Sequence, residues 1–444
     1  LHDSSDTEGA RESHDNLLFL LNYHPDRASE AIFNAYRNYD QRFCLGLRSA
    51  DVVVPRPRAG RRLRVGYVSP DFRAHSVARF AEPLLVQHDR ALVETYAYAE
   101  LIRPDAITAR IQACVDHWIP TRGLSDEALA QRIRDDGIDV LVDLAGHTEG
   151  HRLLVFARKP APVQVTWLGY GYTTGLSAID YILTDEIHAP QGSEALFSEK
   201  PWRLGRVPYV YQPDEGMGEV GPLPALARGY VTFGCLSRAI RINDRVLGAW
   251  ARLLKEVPTA RLVLNSALMG APEMQQRIRG KFEALGVEGW RIELGYDSPP
   301  WDVLRGIDIT LDCFPHNSGT TLIESLYMGV PVITKVDRPS VGRLGASIND
   351  ALGLGELTAQ SEQEYIEIGK ALAGDVAKLA ALRASLRGRM QQSPLMDAKG
   401  FARAVEEAFL AMHERALGAA DAMPMHVANS APSEEKTIAD SSEN

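Results

Sequence analysis

Short apolar runs alternate with amphipathic stretches along most of this chain. In the first half, apolar runs predict β-strands at residues 63–69, 93–99, 138–144, 163–168 and 181–184. Apolar positions at helical spacing predict intervening helices at residues 77–86, 126–135 and 150–157. Because strands that alternate with helices pair in parallel, this half is predicted to form one doubly wound sheet.

The alternation begins again after a Pro- and Gly-rich stretch at residues 212–228, which is typical of an interdomain linker. Strands are predicted at residues 231–235, 261–265, 291–294, 307–311 and 332–334. Helices are predicted at residues 244–257, 273–285, 320–328, 341–352, 362–373, 376–392 and 399–417. The second half is therefore predicted to form a second parallel sheet.

The predicted fold class is α/β, with two Rossmann-like domains that face each other across a cleft. Ligands of such sheets bind beyond the carboxyl ends of the strands, so the cleft is the expected site. The predicted units are N-terminal helices with a linker, two domains, and a C-terminal helix, at residues 13–60, 61–215, 228–395 and 396–418. The polar ends, residues 1–12 and 419–444, are predicted to be disordered.

Composition narrows the classes of function. The chain has 444 residues, of which 45% are hydrophobic and 24% charged, as in an ordinary soluble globular protein. A formal net charge of -10 disfavours nucleic acid as the main partner. No apolar run is long enough to span a bilayer, and the N-terminus has no signal-peptide pattern. The four cysteines are scattered, which fits a reducing, cytoplasmic setting and argues against a structural zinc site.

One motif predicts a nucleotide site. The strand at residues 307–311 is followed by a polar, Gly-containing loop and then by the helix that starts at Thr320. The free N–H groups and the dipole of a helix N-terminus bind anions, and the hydroxyls of Thr320 and Thr321 add donors. One turn later, Glu324 is placed to accept hydrogen bonds from sugar hydroxyls. The alternative is an ordinary strand–loop–helix connection.

Other candidates also follow strands. His75, after the first strand, is predicted to be a neutral imidazole that accepts a proton or orients a hydroxyl; alternatively it packs against the helix start. His147 is either a substrate contact or a structural loop residue. Gly169 permits close backbone approach to a ligand. Arg238 and Arg241 follow the first strand of the second domain, where arginine suits phosphate; the alternative is a solvated loop arginine.

Five segments resemble the catalytic region of the O-GlcNAc transferase family, specifically its bacterial members. They lie, in the family's order, at residues 63–79, 142–150, 158–170, 179–185 and 319–331. The resemblance implies a GT-B fold that holds UDP-N-acetylglucosamine (UDP-GlcNAc) in the cleft. It further implies transfer of the sugar, with inversion, to Ser or Thr hydroxyls of a protein acceptor, without metal or cofactor.

The resemblance also implies roles for single residues. His75 matches the histidine at the reaction centre, and Arg241 stands where the family has a lysine on the donor phosphates. Thr320 and Thr321 match contacts to the diphosphate, and Glu324 matches the acidic residue that holds the ribose. The predicted catalytic residues are His75 and Arg241; the predicted substrate- and donor-binding residues are His147, Thr148, Gly169, Arg238, Gly319, Thr320, Thr321 and Glu324.

Two further positions depart from the family pattern. Gly171 and Tyr172 replace a Pro-Gly pair near the sugar, and residues 298–301 lack the histidine expected close to the uracil. Trp301 is predicted to stack on the base instead. The alternatives are therefore another UDP-sugar, an asparagine acceptor, or a nucleotide-sugar-binding module without catalysis.

Overall fold

The computed structural model describes residues 4–48 and 53–421. It begins with two helices, α1 (Ser4–Tyr23) and α2 (Ser29–Tyr39). Helix α1 starts within the stretch that was predicted to be disordered up to residue 12, so that prediction is wrong from Ser4 onward; residues 1–3 and 422–444 lie outside the described residues. Leu18, Tyr36 and Tyr39 bury the helix pair against the first domain, which explains why a polar helix is stable here.

The first domain is a seven-stranded parallel sheet with the order β3-β2-β1-β4-β5-β6-β7. Its strands are β1 (Leu63–Ser69), β2 (Val93–Ala99), β3 (His117–Pro120), β4 (Val140–Asp143), β5 (Val163–Thr166), β6 (Tyr181–Thr184) and β7 (Lys200–Arg203). Its helices are α3 (Ala78–Gln87), α4 (Ala106–Cys114), α5 (Asp126–Asp135) and α6 (Leu153–Ala157). Strands β3 and β7 and helix α4 were not predicted, because the two strands lie at the sheet edges and lack a continuous apolar run.

The second domain is a six-stranded parallel sheet with the order β10-β9-β8-β11-β12-β13. Helix α7 (Pro224–Arg228) precedes it. The strands are β8 (Thr232–Cys235), β9 (Arg261–Asn265), β10 (Ile292–Gly295), β11 (Ile309–Leu311), β12 (Val332–Lys335) and β13 (Thr358–Ala359). The helices are α8 (Asp244–Glu256), α9 (Pro272–Ala284), α10 (Trp301–Arg305), α11 (Thr320–Tyr327), α12 (Leu344–Ala351), α13 (Glu362–Gly374) and α14 (Val376–Gln391). The prediction of two Rossmann-like domains is confirmed.

The C-terminal helix, α15 (Ala398–Asp421), returns to the first domain. Its apolar face, with Phe401, Val405 and Phe409, belongs to the core of that domain. Glu406 of α15 also pairs with His88 at the end of α3, with 2.8 Å between Oε1 and Nδ1. The two domains are thus joined by the linker and by this helix. Among the described residues, no helix is both long and apolar enough to cross a bilayer.

Candidate active site

A cleft of about 1,710 Å³ lies between the domains, at the carboxyl ends of both sheets. It is lined by α1, by the loops after β1, β4 and β5 of the first domain, and by the loops after β8 and β11 of the second. Nine of the ten predicted site residues line it: His75, His147, Thr148, Gly169, Arg238, Arg241, Gly319, Thr320 and Thr321. The topology therefore brings together residues that are up to 246 positions apart (Thr321 minus His75).

The loop after β11 is held in shape by Asp312. Its buried Oδ1 accepts hydrogen bonds from the N–H groups of Cys313 and Ser318, both at 2.8 Å, and Oδ2 accepts one from Thr334 Oγ1 at 2.7 Å. Burial raises the pKa of Asp312 to about 6. Asn317 adds a hydrogen bond from Nδ2 to the carbonyl of Cys313, at 2.9 Å. The loop is consequently fixed before any ligand arrives.

Helix α11 begins at the end of this loop. Gly319 is its N-cap and has no side chain to occupy the first N–H groups, which by helix geometry lack acceptors of their own. Gly319, Thr320 and Thr321 all line the cleft. A free helix N-terminus with two adjacent hydroxyls is a suitable site for a diphosphate.

The loop after β8 supplies the positive charges. Arg238 and Arg241 line the cleft, and Arg241 Nη1 lies 3.4 Å from Ser237 Oγ. Ser318 Oγ donates to Ser237 Oγ at 2.8 Å, which ties this basic loop to the loop before α11. The guanidinium of Arg241 is thereby held beside the helix N-terminus.

His75 lies in the loop after β1. Its Nδ1 is 3.3 Å from the backbone nitrogen of Val77 and 3.4 Å from Asp71 Oδ2. Burial lowers the pKa of His75, an effect that Asp71 opposes and that Arg73 and Arg238 add to; burial also raises the pKa of Asp71. Because the N–H of Val77 donates to Nδ1, a neutral ring carries its proton on Nε2. The geometry therefore favours the orienting role over proton acceptance.

His147 is buried and uses both of its ring nitrogens within the protein. Nδ1 lies 2.7 Å from Asp15 Oδ1, and Nε2 lies 2.7 Å from the carbonyl oxygen of Thr174. His151 Nε2 lies 3.2 Å from the other oxygen of Asp15. His147 was predicted to be either a substrate contact or a structural loop residue. The structure favours the second, because these contacts join α1 to the first domain.

The same three side chains, Asp15, His147 and His151, are grouped closely enough to hold a metal ion. Sequence spacing did not indicate this group, because Asp15 is 132 residues away from His147. The contacts with Asp15 and with the carbonyl of Thr174 already satisfy both ring nitrogens of His147.

The neighbouring loops explain two further predicted residues. Gly169 has φ +64, and a Cβ there would lie 2.4 Å from the backbone carbon of Ala145. Glycine is thus required for close approach of two loops, whatever it does for a ligand. Thr148 donates from Oγ1 to the carbonyl of Ala145 at 2.9 Å and still lines the cleft.

Glu324 is the predicted site residue that does not line the cleft. It is buried one turn behind Thr320, and burial raises its pKa to about 7, with Arg79 opposing and Asp214 reinforcing the effect. Trp301, predicted to stack on a base, packs instead in an apolar cluster with Met217 and Leu304. Trp301 is 7% exposed and does not line the cleft, so the structure gives no support to stacking on a base.

Helix α1 contributes cleft residues that the sequence did not indicate as functional. Phe19 and Tyr23 line the cleft, and Tyr23 stacks on His316 of the loop before α11. The aromatic residues of α1 were visible in the sequence, but nothing in their spacing indicated that this helix lies over the second domain.

Comparison with known proteins bears on both fold and family. Residues 40–210 and 223–405 match the family described as Glycosyl transferase family 41. The "Probable UDP-N-acetylglucosamine--peptide N-acetylglucosaminyltransferase SPINDLY" of Hordeum vulgare is 35% identical over 415 residues, which cover 91% of this chain and 44% of the relative. The chain thus spans less than half the length of that relative.

Two solved structures are also similar. A mutant of the Thermobaculum terrenum O-GlcNAc transferase is 36% identical and superposes with a TM-score of 0.88, covering 92% of this chain and 79% of that one. The apo form of the lipopolysaccharide outer core galactosyltransferase WaaB is 13% identical, with a TM-score of 0.52 and coverage of 79% and 99%. The second likeness concerns the fold alone. Together they confirm the GT-B fold.

Proposed function

The chain belongs to Glycosyl transferase family 41, and we propose that it transfers N-acetylglucosamine from UDP-GlcNAc to Ser or Thr hydroxyls of a protein acceptor. The observation that carries the proposal is the pairing of a free helix N-terminus with Arg238 and Arg241 in one cleft with His75. The name of the Hordeum relative supports this donor and this acceptor class, and that of the Thermobaculum relative supports transfer of N-acetylglucosamine to oxygen.

In the proposed reaction the acceptor oxygen attacks the anomeric carbon from the face opposite the diphosphate. The bond from the anomeric carbon to the diphosphate oxygen breaks, UDP leaves with both bonding electrons, and the hydroxyl proton passes to water or to the departing UDP. Negative charge therefore grows on the diphosphate. Arg241 and the N–H groups at the start of α11 stabilise that charge from fixed positions.

His75 is proposed to act on the acceptor side. With its proton on Nε2, the ring donates a hydrogen bond and orients a polar group of the acceptor or the sugar. Glu324 is proposed to hold the ribose, which requires that nucleotide binding exposes its carboxylate to the ligand.

A mass-spectrometric assay tests the proposal. Purified protein is incubated with host lysate and, in separate reactions, UDP-GlcNAc, UDP-glucose, UDP-galactose or a GDP-sugar. A mass increase of one N-acetylhexosamine on Ser or Thr, with UDP-GlcNAc only, is the expected result. Transfer from another donor or to asparagine would identify one of the alternative enzymes. Donor binding without any transfer would indicate a binding module.

The transfer is also expected to persist in EDTA. Arg241 and the helix N-terminus neutralise the diphosphate charge that a metal ion would otherwise neutralise. Removal of divalent ions should therefore leave the transfer rate within about twofold. Loss of activity in chelator that Mg²⁺, Mn²⁺ or Zn²⁺ restores would contradict this mechanism. Repeating the assay with Asp15→Asn would then show whether the Asp15, His147 and His151 group holds the ion.

A further inference from the structure

His316 occupies a central position in the cleft that neither the sequence nor the family resemblance assigned. It lies in the loop between β11 and α11, lines the cleft, and is 3% exposed. Its ring stacks on Tyr23 of α1, with 4.6 Å between centroids and 8° between planes. Tyr170 meets it edge-on at 6.0 Å. The ring is therefore held in one orientation from two sides.

The contacts of its Nδ1 determine which nitrogen carries the proton. Nδ1 lies 2.8 Å from the carbonyl oxygen of Asn317, which can only accept a hydrogen bond. The Nε of Arg241 is also near Nδ1, but at 3.5 Å, the limit of hydrogen-bond distance. The shorter contact places the proton on Nδ1. Burial and the nearby Arg241 and Arg338 hold the pKa of His316 well below its usual range, so the ring is neutral.

The other nitrogen, Nε2, is left as a bare acceptor. It is buried and has no hydrogen-bond partner among residues 4–48 and 53–421. Buried polar atoms in folded proteins are nearly always paired, and the stacked ring cannot turn to find a partner. Since His316 lines the cleft, the partner is expected to arrive with the ligand.

The chemistry of a bare acceptor restricts what that partner is. At neutral pH a diphosphate carries no hydrogen to donate, so it does not satisfy Nε2. Hydroxyl groups of a sugar or a ribose, and the N–H of an N-acetyl group, do. We propose that His316 is a further donor-binding residue, which accepts a hydrogen bond through Nε2 from a hydroxyl or amide group of the nucleotide sugar. This inference rests on the proposed function, because it assumes a nucleotide-sugar donor in the cleft.

Isothermal titration with three ligands tests the proposal. His316→Phe keeps a flat ring for stacking on Tyr23 but removes the acceptor. It is expected to weaken UDP-GlcNAc binding about 5- to 100-fold. If the partner belongs to the transferred sugar, UDP should bind as before. If the partner is a ribose hydroxyl, UDP should also bind more weakly, and 2′,3′-dideoxy-UDP should bind the variant and the wild type alike.

His117→Phe is a matched control. His117 also stacks on a tyrosine, with 4.1 Å between its ring and that of Tyr96, but it does not line the cleft. Its replacement is expected to leave all three affinities unchanged. Thermal unfolding of both variants checks that they are folded, and His316→Gln, which restores an acceptor, should recover part of the lost affinity.

Several outcomes would overturn the proposal. Unchanged affinity for every ligand would remove His316 from the donor site. Equal losses for UDP and 2′,3′-dideoxy-UDP would exclude a hydroxyl or N-acetyl partner; Nε2 would then meet the uracil N–H or, if it carries the proton as the longer contact with Arg241 implies, the diphosphate. If wild type bound neither UDP nor UDP-GlcNAc, the inference would fail together with the donor site. If binding followed the expected pattern but no transfer occurred, only the proposed function would fail.

Discussion

The two walls of the cleft differ in internal hydrogen bonding and in exposure. The donor wall, defined as residues 237–241 and 312–321, contains buried polar residues such as Asp312, Asn317 and Ser318, which make hydrogen bonds to other residues of the same wall. The acceptor wall, defined as residues 70–76, 100–104 and 121–125, carries Ile102 at 69% exposure beside exposed arginines. A fixed wall suits a small ligand that always binds in one pose. An open wall suits a polypeptide whose residues vary.

Under the proposed function, catalysis is expected on the donor wall and selectivity for the acceptor on the acceptor wall. Groups that stabilise charge in a transition state are effective when they need no rearrangement, and this favours the donor wall. Exposed apolar side chains rimmed by polar residues are typical of surfaces that bind other proteins, and this favours the acceptor wall. His75 lies on the acceptor wall, but the charge of Arg238 on the donor wall helps to lower its pKa.

The largest effect is expected from His75. His75→Ala should lower the transfer rate about 10²- to 10⁴-fold, since a lost orienting contact at the reaction centre is worth that much. UDP affinity should stay within about twofold, because the ring lies on the acceptor wall. His75→Gln, which supplies an N–H without titrating, should retain more activity than the alanine variant.

Kinetics and UDP titration on the same preparations check both parts of this prediction. Wild-type transfer by His75→Ala would remove the residue from the reaction. Loss of UDP binding would instead place His75 in the donor pocket, and the distinction between the walls would fail there. A glutamine variant as inactive as alanine would favour proton acceptance over orientation.

The second largest effect is expected from Arg241 on the donor wall. Arg241→Ala should weaken UDP binding by about 1.5–3 kcal/mol, the range for hydrogen bonds to charged groups. Arg241→Lys should recover part of the loss, because it keeps the charge but loses the paired geometry. Titration with UDP measures both, with Arg252→Ala on the exposed face of α8 as the control. Equal binding by Arg241→Ala would show that the helix N-terminus suffices.

The sequence predicted the donor wall better than the acceptor wall. Gly319 to Thr321 stand on a strand–loop–helix connection whose place at the cleft follows from local geometry, and so that place could be predicted. The contact of Tyr23 with His316 joins residues 293 positions apart by the difference of their numbers, so it depends on how α1 packs across both domains. No local pattern contains that information.

Three other differences between prediction and structure have separate causes. Trp301 was predicted to stack on a base, but the linker residue Met217 and the neighbouring helices cover it. Helix α1 was predicted too short because its first turns are polar and carry no apolar periodicity. The family resemblance predicted roles only for positions within the matching segments. It assigned no role to His316, which lies just before the segment at residues 319–331.

Glu324 should make donor binding depend on pH. Its pKa is about 7 because the side chain is buried. If the ionised form accepts hydrogen bonds from the ribose, UDP affinity should fall roughly tenfold from pH 8 to pH 6. Glu324→Gln should bind UDP more weakly than wild type at pH 8 and show little pH dependence, whereas Glu273→Gln, exposed on α9, should behave as wild type.

Stability should change in the opposite sense. The pKa of Glu324 is higher in the folded protein than its ordinary value of 4.5, so ionisation costs folding free energy, and this cost is present above pH 7 and lost as the pH falls toward 4.5. Glu324→Gln should therefore unfold at a higher temperature than wild type at pH 8, with the difference vanishing near pH 4.5. Titration and thermal unfolding over this range measure both trends; a pH-independent UDP affinity in wild type would separate Glu324 from the ribose.

The smallest effect is expected on the acceptor wall, from Arg103 and Arg122. Both line the cleft, both are exposed, and neither forms an ion pair within the described parts of the chain. Each lies next to an exposed apolar side chain, Ile102 or Leu124. Two unpaired positive charges beside apolar groups favour acceptor segments that carry acidic and apolar residues near the modified hydroxyl. Exposed ion pairs contribute only about 0.2–1 kcal/mol, so each arginine should matter by about fivefold at most.

Reversal of both charges tests this expectation. The double variant Arg103→Glu with Arg122→Glu should raise KM for a glutamate-flanked acceptor peptide a few-fold, lower it for a lysine-flanked peptide, and leave KM for the donor unchanged. Both shifts should shrink in 0.5 M salt, because charges at the surface are screened over a few ångströms at that ionic strength. The same change in KM for both peptides would show that the acceptor wall does not distinguish acidic from basic acceptors. A change in donor KM would show instead that the two walls are coupled, and the division of labour between a fixed donor wall and an adaptable acceptor wall would be wrong.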